Sequence, residues 1–192
     1  MLKKISYPAG GYTTFDYEPN IYGAVFERWP SEVMPNQNGN QFTSGLRIKS
    51  IKKYNEQNEL VSQKKYHYEK DFLSGGNISS GILAYVPQYI ENESSLVRVT
   101  SNPYSNFSLA GPHITYSEVT VEEEGKGYSV FRYKNYDNGY ADRMPINYSV
   151  DENYLLEYDM GISMDIERGQ LLAENIYDII RILVRKIEYE YN

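Results

Sequence analysis

The sequence contains no cysteine, which excludes disulfide bonds and thiolate metal sites. Histidine is almost as scarce: His67 and His113 are far apart and lack the His-Glu-x-x-His or His-x-Glu spacing of a zinc or acid–base centre. The glycine pattern of a phosphate-binding loop and the Gly-x-Ser-x-Gly elbow of serine hydrolases are also missing. We therefore predict a protein that is not an enzyme and that needs no cofactor.

Long apolar runs and an excess of basic residues are lacking as well. No stretch is long and apolar enough for a transmembrane helix, so membrane insertion is not expected. The net charge of −7 argues against a nucleic-acid partner, because binding to phosphates requires a basic patch. Residues 1–8 include two lysines but no apolar segment behind them, so they do not form a signal peptide. At this length, one β-rich domain over 1–192 is expected.

Tyrosine is abundant instead, with 21 residues, and many of them lie in a stretch that occurs twice. The first copy covers 51–68 and the second 177–191. A shared spacing of this kind predicts a β-hairpin with tyrosines on one face of a strand, because side chains alternate between the two faces of a sheet. Five positions match without a gap: Tyr54 with Tyr177, Leu60 with Leu183, Val61 with Val184, Tyr66 with Tyr189, and Tyr68 with Tyr191.

Alternating apolar and polar residues predict an all-β fold of antiparallel hairpins. The first hairpin extends from residue 46 to 68 around a polar turn at 55–59, and another extends from 114 to 136 around a turn at 122–127. Residues 12–17 are predicted to form a strand, and Pro19-Asn20 is the break that follows it. Residues 19–44 are expected to be a long loop with a short helical turn near Phe26–Trp29. Further short strands are predicted at 82–86, 96–100 and 154–158, with loops at 102–106, 137–142 and from 144 onward.

The last segment, 172–187, fits two structures. Its apolar residues recur at the period of an amphipathic helix, and they also fit the second copy of the hairpin. The polar turn of the first copy is replaced here by Ile179-Ile180-Arg181-Ile182. The hairpin is favoured because its register matches the first copy, and the helix remains the alternative.

Four motifs occur in order along the chain: Tyr7-Pro-Ala-Gly-Gly-Tyr12, Gly45-Leu-Arg-Ile-Lys-Ser-Ile51, Gly111-Pro-His-Ile-Thr-Tyr-Ser117, and Glu167-Arg-Gly-Gln-Leu-Leu172 followed by Tyr177-Asp178. Together they resemble the large surface or secreted proteins of Bacteroidetes that are similar to rearrangement-hotspot (YD-repeat) proteins. The resemblance covers most of the chain, and it implies antiparallel hairpins stacked in a curved, open sheet or shell. It further implies a structural role, as a scaffold or in adhesion, within a longer cell-surface or secreted parent whose neighbouring hairpins are the partners. No toxin or autoproteolytic segment is recognisable.

A carbohydrate-binding β-module is the alternative function, because exposed aromatic rings can stack on sugar faces. The loop aromatics Trp29, Tyr104 and Tyr140 are the candidate glycan-binding residues, since loops often carry binding sites. Oxygen ligands for calcium occur between Asp137 and Asp142, but Asn-Gly in that stretch is itself a turn signal, and no metal site is predicted.

The C-terminal strand, residues 182–191, raises the question of self-association. It is rich in β-formers, and its alternating charges are its only evident protection against pairing with another chain. If the chain is cut from a hairpin array, we expect self-association through this edge strand.

Overall fold

The computed structural model describes residues 1–27, 32–84, 113–143 and 163–191, and the backbone of two short strands between residues 89 and 100. These residues form three β-sheets and two single-turn 3₁₀ helices, Phe72–Ser74 and Tyr136–Asn138. The predicted all-β, antiparallel fold is confirmed. The strands are β1 Lys4–Ser6, β2 Tyr12–Tyr22, β3 Ala24–Glu27, β4 Glu32–Pro35, β5 Gln41–Tyr54, β6 Leu60–His67, β7 Gly81–Leu83, β8 Tyr89–Glu91, β9 Arg98–Thr100, β10 Ile114–Tyr116, β11 Glu118–Glu123, β12 Gly127–Tyr133, β13 Leu171–Tyr177 and β14 Leu183–Glu188.

The main sheet contains eight strands in the order β1-β2-β5-β6-β11-β12-β13-β14, and every neighbouring pair is antiparallel. It consists of four hairpins side by side: hairpin 1 (β1–β2), hairpin 2 (β5–β6), hairpin 3 (β11–β12) and hairpin 4 (β13–β14). Because neighbouring strands alternate in direction, the four tight turns lie at the same end of the sheet. The longer connections leave from the opposite end.

Two of these longer connections build the second sheet, of order β10-β7-β3-β4. Within it β3 and β7 are parallel, whereas the other neighbours are antiparallel. Phe26 and Ile82 of this sheet form a buried cluster with Tyr136, and the rings of Phe26 and Tyr136 stack with centroids 4.3 Å apart. This cluster lies between the second sheet and the 3₁₀ turn that follows β12.

The predicted loop at 19–44 is wrong, because most of it is strand. β2 continues through Pro19 to Tyr22, and β3 and β4 then pair in a hairpin. Pro19 is tolerated because it lies at a bulge: the register shifts between Pro19 and Asn20, which face Leu46 and Thr43 of β5. The helical turn expected near Phe26 is likewise wrong, since Phe26 lies in β3.

The hairpin predicted over 114–136 is confirmed only in part. β11 and β12 pair as expected, but Ile114–Tyr116 forms β10 and belongs to the second sheet. The chain changes sheet at the buried Ser117, whose backbone N–H donates to the backbone oxygen of Ser80 at 3.2 Å. The predicted strand at 154–158 and the loops at 102–106 and from 144 onward lie outside the described residues.

The C-terminal segment is a hairpin. β13 and β14 pair in antiparallel fashion around a turn at 178–182. The helical alternative for 172–187 is therefore wrong, and the repeat predicts this part of the fold correctly.

Candidate functional site

The two copies of the repeat share one turn, stabilised by the side chain of its first residue. Oδ1 of Asn55 accepts hydrogen bonds from the backbone N–H groups of Gln57 at 3.0 Å and Glu59 at 2.8 Å. In the second copy, Oδ1 of Asp178 accepts from Ile180 at 3.0 Å and Ile182 at 2.8 Å. Asn and Asp are interchangeable here because either supplies the same acceptor oxygen two residues before the N–H it binds.

The backbone of the two turns also matches. Asn58 and Arg181 occupy the same position and have left-handed φ angles of 63° and 64°. The side chain of Arg181 donates to the backbone oxygen of Leu73 at 2.7 Å. This contact helps an arginine to occupy a conformation that is costly for L-residues other than glycine and asparagine. The second copy therefore closes its turn without glycine.

Each shared turn is followed by the same bulge. Tyr54 faces Leu60 while the preceding rung joins Lys53 to Ser62, so Val61 is an extra residue. Val184 is the extra residue in the second copy, where Tyr177 faces Leu183 and Ile176 faces Arg185. The matched pairs Leu60-Val61 and Leu183-Val184 are thus the bulges, and all four of their side chains are exposed. In this position they are available to a neighbouring molecule rather than to the core.

Adjacent hairpins meet at a joint that we call the Gly–Tyr junction, and it also occurs twice. Between hairpins 1 and 2, Tyr12 faces Tyr54 and the two rings stack 4.7 Å apart. Gly11, at φ +76°, places its α-carbon against the backbone oxygen of Tyr54, which would be 2.6 Å from a β-carbon.

Between hairpins 3 and 4 the Gly–Tyr junction is repeated. Gly127, at φ +116°, lies against the backbone oxygen of Tyr177, and Tyr128 faces Tyr177. A β-carbon on Gly127 would again collide with that oxygen. A glycine followed by tyrosine therefore lets two hairpin tips lie level with each other. This glycine–tyrosine pairing is a structural feature that was not predicted, although the Gly-Tyr dipeptide occurs in the sequence at both positions.

The middle joint, between hairpins 2 and 3, is different. Glu59 precedes β6 at the position that Gly11 occupies before β2. Here β11 pairs with β6 four residues further along, with Glu123 facing Lys64. Lysines of β6 face glutamates of β11: the Lys64–Glu123 and Lys65–Glu122 pairs have N–O distances of 3.6 and 3.7 Å. A hydrogen bond from Lys126, helped by the charge of Lys64, lowers the pKa of the Glu123 carboxyl. We call this the staggered junction.

One face of the main sheet carries a groove of about 430 Å³. Rungs of the sheet bring its apolar side chains to the same face, since Val119 faces Phe131 and Val121 faces Tyr66. Burial raises the pKa of Tyr66 and, together with the charge of Glu174, that of Tyr133. The lining combines these groups with a charged rim, and consists of Lys64, Tyr66, Val119, Val121, Glu123, Lys126, Gly127, Tyr128, Ser129, Phe131, Tyr133, Ile176 and Tyr177.

A buried arginine marks the region where the two sheets meet. The Arg47 side chain is 7% exposed and its Nη2 lies 2.7 Å from the Glu18 carboxylate. Its guanidinium lies 4.1 Å from the centre of the Tyr68 ring and donates to the hydroxyl of Tyr116 at 3.2 Å. Burial raises the pKa of both the Tyr68 and the Tyr116 hydroxyl. The guanidinium of Arg47 is thus paired with a carboxylate and packed against aromatic rings, which is an arrangement typical of a structural role.

The predicted glycan-binding residues are not seen together. Trp29 and Tyr104 lie outside the described residues. Tyr140 is half-buried, and the ammonium group of Lys134 lies 4.7 Å from its ring centre and equally close to the ring of Tyr191. One face of the Tyr140 ring is therefore occupied within the chain, whereas Tyr66 and Tyr177 of the repeat both line the groove.

The acidic and histidine candidates have structural partners. Asp137 accepts from the hydroxyl of Ser117 at 2.9 Å and forms an ion pair with Lys70. Asp142 pairs with the buried Arg168 at 2.7 Å. In the part of the chain that the structure describes, no group of three or more His, Cys, Asp or Glu residues could hold a metal ion. His67 stacks on Phe72 with ring centres 3.8 Å apart and contacts Glu122 at 2.9 Å.

Comparison with protein-family models, with curated proteins and with solved structures finds no match to this chain. The resemblance to YD-repeat proteins therefore stays a prediction based on the motifs. Across residues 1–27, 32–84, 113–143 and 163–191, no helix is long and apolar enough to cross a bilayer.

Proposed function

We propose that this chain is a non-catalytic structural segment of a larger, YD-repeat-like protein at the cell surface or in the secreted fraction, where it acts as a scaffold or in adhesion. Its hairpins form a modular sheet, and its partners in the parent protein are further hairpins. One observation carries this proposal. Hairpins 1–2 and hairpins 3–4 are each joined by a Gly–Tyr junction, and hairpins 2 and 4 share the same turn and the same bulge.

Modularity supports a structural role for a physical reason. In repeat architectures each unit contacts mainly its neighbours, so a sheet in which two of the three joints between hairpins are the same can be lengthened without redesigning a core. The buried charges also support it, because Arg47 and Arg168 are each satisfied by carboxylates inside the fold. Burial raises the pKa of Tyr68, which is a core tyrosine.

The test combines location with activity. Antibody against the chain should detect it on intact source cells or in the culture medium, and protease added to intact cells should remove the cell-bound signal. An epitope that is protected until the cells are lysed would overturn the proposed location. Turnover of a polysaccharide or peptide by the purified chain, lost on one carboxylate substitution, would overturn the non-catalytic role.

A carbohydrate-binding module is the second candidate function, and the groove favours it. Phe131, Tyr66 and Tyr133 present rings beside the Lys64–Glu123–Lys126 rim, which combines stacking surface with hydrogen-bonding groups. A glycan array with Phe131→Ala and Trp29→Ala distinguishes the sites. Loss of a glycan signal in the first variant alone assigns binding to the groove, and loss in the second alone assigns it to Trp29. No glycan signal at all would remove this candidate.

A further inference from the structure

The outer strands of the main sheet, β1 and β14, form its two edges. Among the described residues no strand pairs with the outer side of either one. All three residues of β1 are exposed, as are five of the six in β14. Exposed edges of this kind present backbone N–H and C=O groups that can pair with another strand.

The backbone direction at β14 shows which groups are presented. The N–H of Tyr189 donates to the backbone oxygen of Leu172 at 3.0 Å, and is therefore directed inward to the sheet. Because successive residues of an antiparallel strand direct their backbone groups to opposite sides, the N–H and C=O of Glu188 are directed toward the open edge. The same alternation directs those of Glu190 outward.

The chain contains its own example of how such a strand is covered. β6 is the counterpart of β14, since both follow the shared turn and bulge. At the staggered junction, residues 64–67 of β6 pair with the outgoing strand of the next hairpin, β11. The spacing of the repeat maps 64–67 onto 187–190, so this is the stretch of hairpin 4 that a following outgoing strand would cover.

Charge identifies a suitable occupant. At the internal staggered junction the accepting strand is basic and the incoming strand acidic, through Lys64–Glu123 and Lys65–Glu122. At 187–190 the accepting strand is acidic instead, with Glu188 and Glu190. Glu188 forms an ion pair with Lys186 at 2.6 Å, and both side chains are more than half exposed. This surface ion pair is weak, so Glu188 can pair with a cation of an incoming strand instead.

The opposite edge of the same sheet is basic. Lys3 and Lys4 lie at β1, which is itself the outgoing strand of hairpin 1 and has the direction required to pair with β14 in antiparallel fashion. Exposed apolar side chains accompany the charges on both edges: Leu2, Ile5 and Tyr7 near β1, and Leu183, Val184, Tyr189 and Tyr191 near β14. Over residues 187–190 the β14 edge is therefore complementary to β1 in charge and direction, and both edges carry exposed apolar side chains.

We infer that β14 binds β1 of a second copy of this chain, so that copies join head to tail and the eight-stranded sheet continues from one molecule into the next. This inference rests on the proposed hairpin-array function and specifies the partner of that array. A two-fold pairing of β14 with β14 over 187–190 is disfavoured because it brings four carboxylates together. Head-to-tail joining does not close on itself as a dimer does, so the assemblies grow with concentration.

The test uses charge-reversal substitutions in the full chain. Sedimentation velocity over a range of concentrations measures the association of each variant. The wild-type chain should increase in mean mass with concentration, and less so at high salt. Lys3→Glu/Lys4→Glu and Glu188→Lys/Glu190→Lys should each weaken association by about tenfold, because each places like charges opposite each other. An equimolar mixture of the two variants should associate again, since the reversed edges are complementary.

Glu124→Lys, at the exposed tip of hairpin 3, is the matched control and should leave association unchanged. Circular dichroism verifies that every variant retains the β-sheet spectrum. A chain that stays monomeric throughout, association insensitive to Lys3→Glu/Lys4→Glu, or a mixture that does not recover would each overturn the inference. None of these results affects the proposed function, which is judged from location and activity.

Discussion

The backbone oxygen of Tyr54 lies 2.6 Å from the point that a β-carbon on Gly11 would occupy, so no side chain fits between hairpins 1 and 2. The same relationship holds between Gly127 and Tyr177. Both glycines have positive φ angles, which other L-residues adopt only at a cost. Conformation and close approach together require glycine at each Gly–Tyr junction.

Gly11→Ala and Gly127→Ala should therefore each lower the free energy of unfolding by about 2–4 kcal/mol, because the new methyl group meets fixed backbone in a strained conformation. Gly125→Ala is the control: its φ is also positive, at +75°, but nothing lies within 4 Å. It should cost only about 1 kcal/mol. Urea denaturation measures the free energy of unfolding of the three variants. Equal losses in all three would show that close approach at the Gly–Tyr junction is not what requires glycine.

The turn side chains give a second prediction. Asn55→Ala and Asp178→Ala each remove an oxygen that accepts two backbone N–H groups, and should cost about 1–2 kcal/mol of unfolding free energy. Asp178→Asn retains that oxygen and should cost less than about 0.5 kcal/mol, whereas Asn55→Asp also loses the hydrogen bond from Nδ2 to the Glu59 carboxylate at 2.8 Å and should cost more. Thermal or urea unfolding of the four variants decides the matter. If Asp178→Asn costs as much as Asp178→Ala, the oxygen is not the stabilising group.

The buried tyrosines predict a loss of stability in alkali. Burial raises the pKa of Tyr68, so it stays protonated in the folded chain at a pH where it ionises in the unfolded chain, about 10. Its contribution is thus fully present below about pH 10 and is lost as the pH rises further. Urea unfolding between about pH 8 and 11 should show a decline in the free energy of unfolding.

Tyr68→Phe should make that decline shallower. At neutral pH it should cost about 1 kcal/mol, because the Tyr68 hydroxyl donates to the backbone oxygen of Ile48 at 2.7 Å. Tyr189→Phe, at the exposed edge, controls for the loss of one hydroxyl. An unchanged slope in Tyr68→Phe would show that other groups govern the alkaline transition.

Proline substitutions test the edge strand separately from its charges. Glu188→Pro removes a backbone donor directed toward the open edge, so it should reduce self-association while hairpin 4 persists. Ile187→Pro is the matched control, because its N–H is directed to β13, and proline there should disrupt the hairpin itself. Light scattering and circular dichroism report the two effects. Association that survives Glu188→Pro would place the contact elsewhere.

Features that depend on neighbours in the chain could be predicted from the sequence. The turns at 55–59 and 178–182 are closed by side chains that bind N–H groups two and four residues ahead, so their residues determine them locally. The repeat then resolved residues 172–187 as a hairpin, although their apolar period also fits a helix. Hairpins 2 and 4 were predicted from the repeat, and hairpin 3 was predicted from its turn at 122–127 and is confirmed for β11 and β12.

Other features were decided only when distant strands came together. The stretch 19–44 carries loop signals, yet pairing with β5 accommodates Pro19 at a bulge and keeps β2 extended to Tyr22. Likewise, Leu46 is 54% exposed and Arg47 is 8% exposed, although hydropathy alone favours burial of the leucine and exposure of the arginine. Glu18, Tyr68 and Tyr116 make burial of that arginine favourable, and they come from three other strands or connections.

The sequence by itself determined the β-hairpins, their turns and the repeat, because these depend on local hydrogen bonds and on the two-residue period of a strand. Only the tertiary structure decided which edges meet. Gly11 beside Tyr54, Lys64 beside Glu123 and the outward edges of β1 and β14 all follow from strand order. Strand order is a property of long-range pairing, and local patterns carry no information about it.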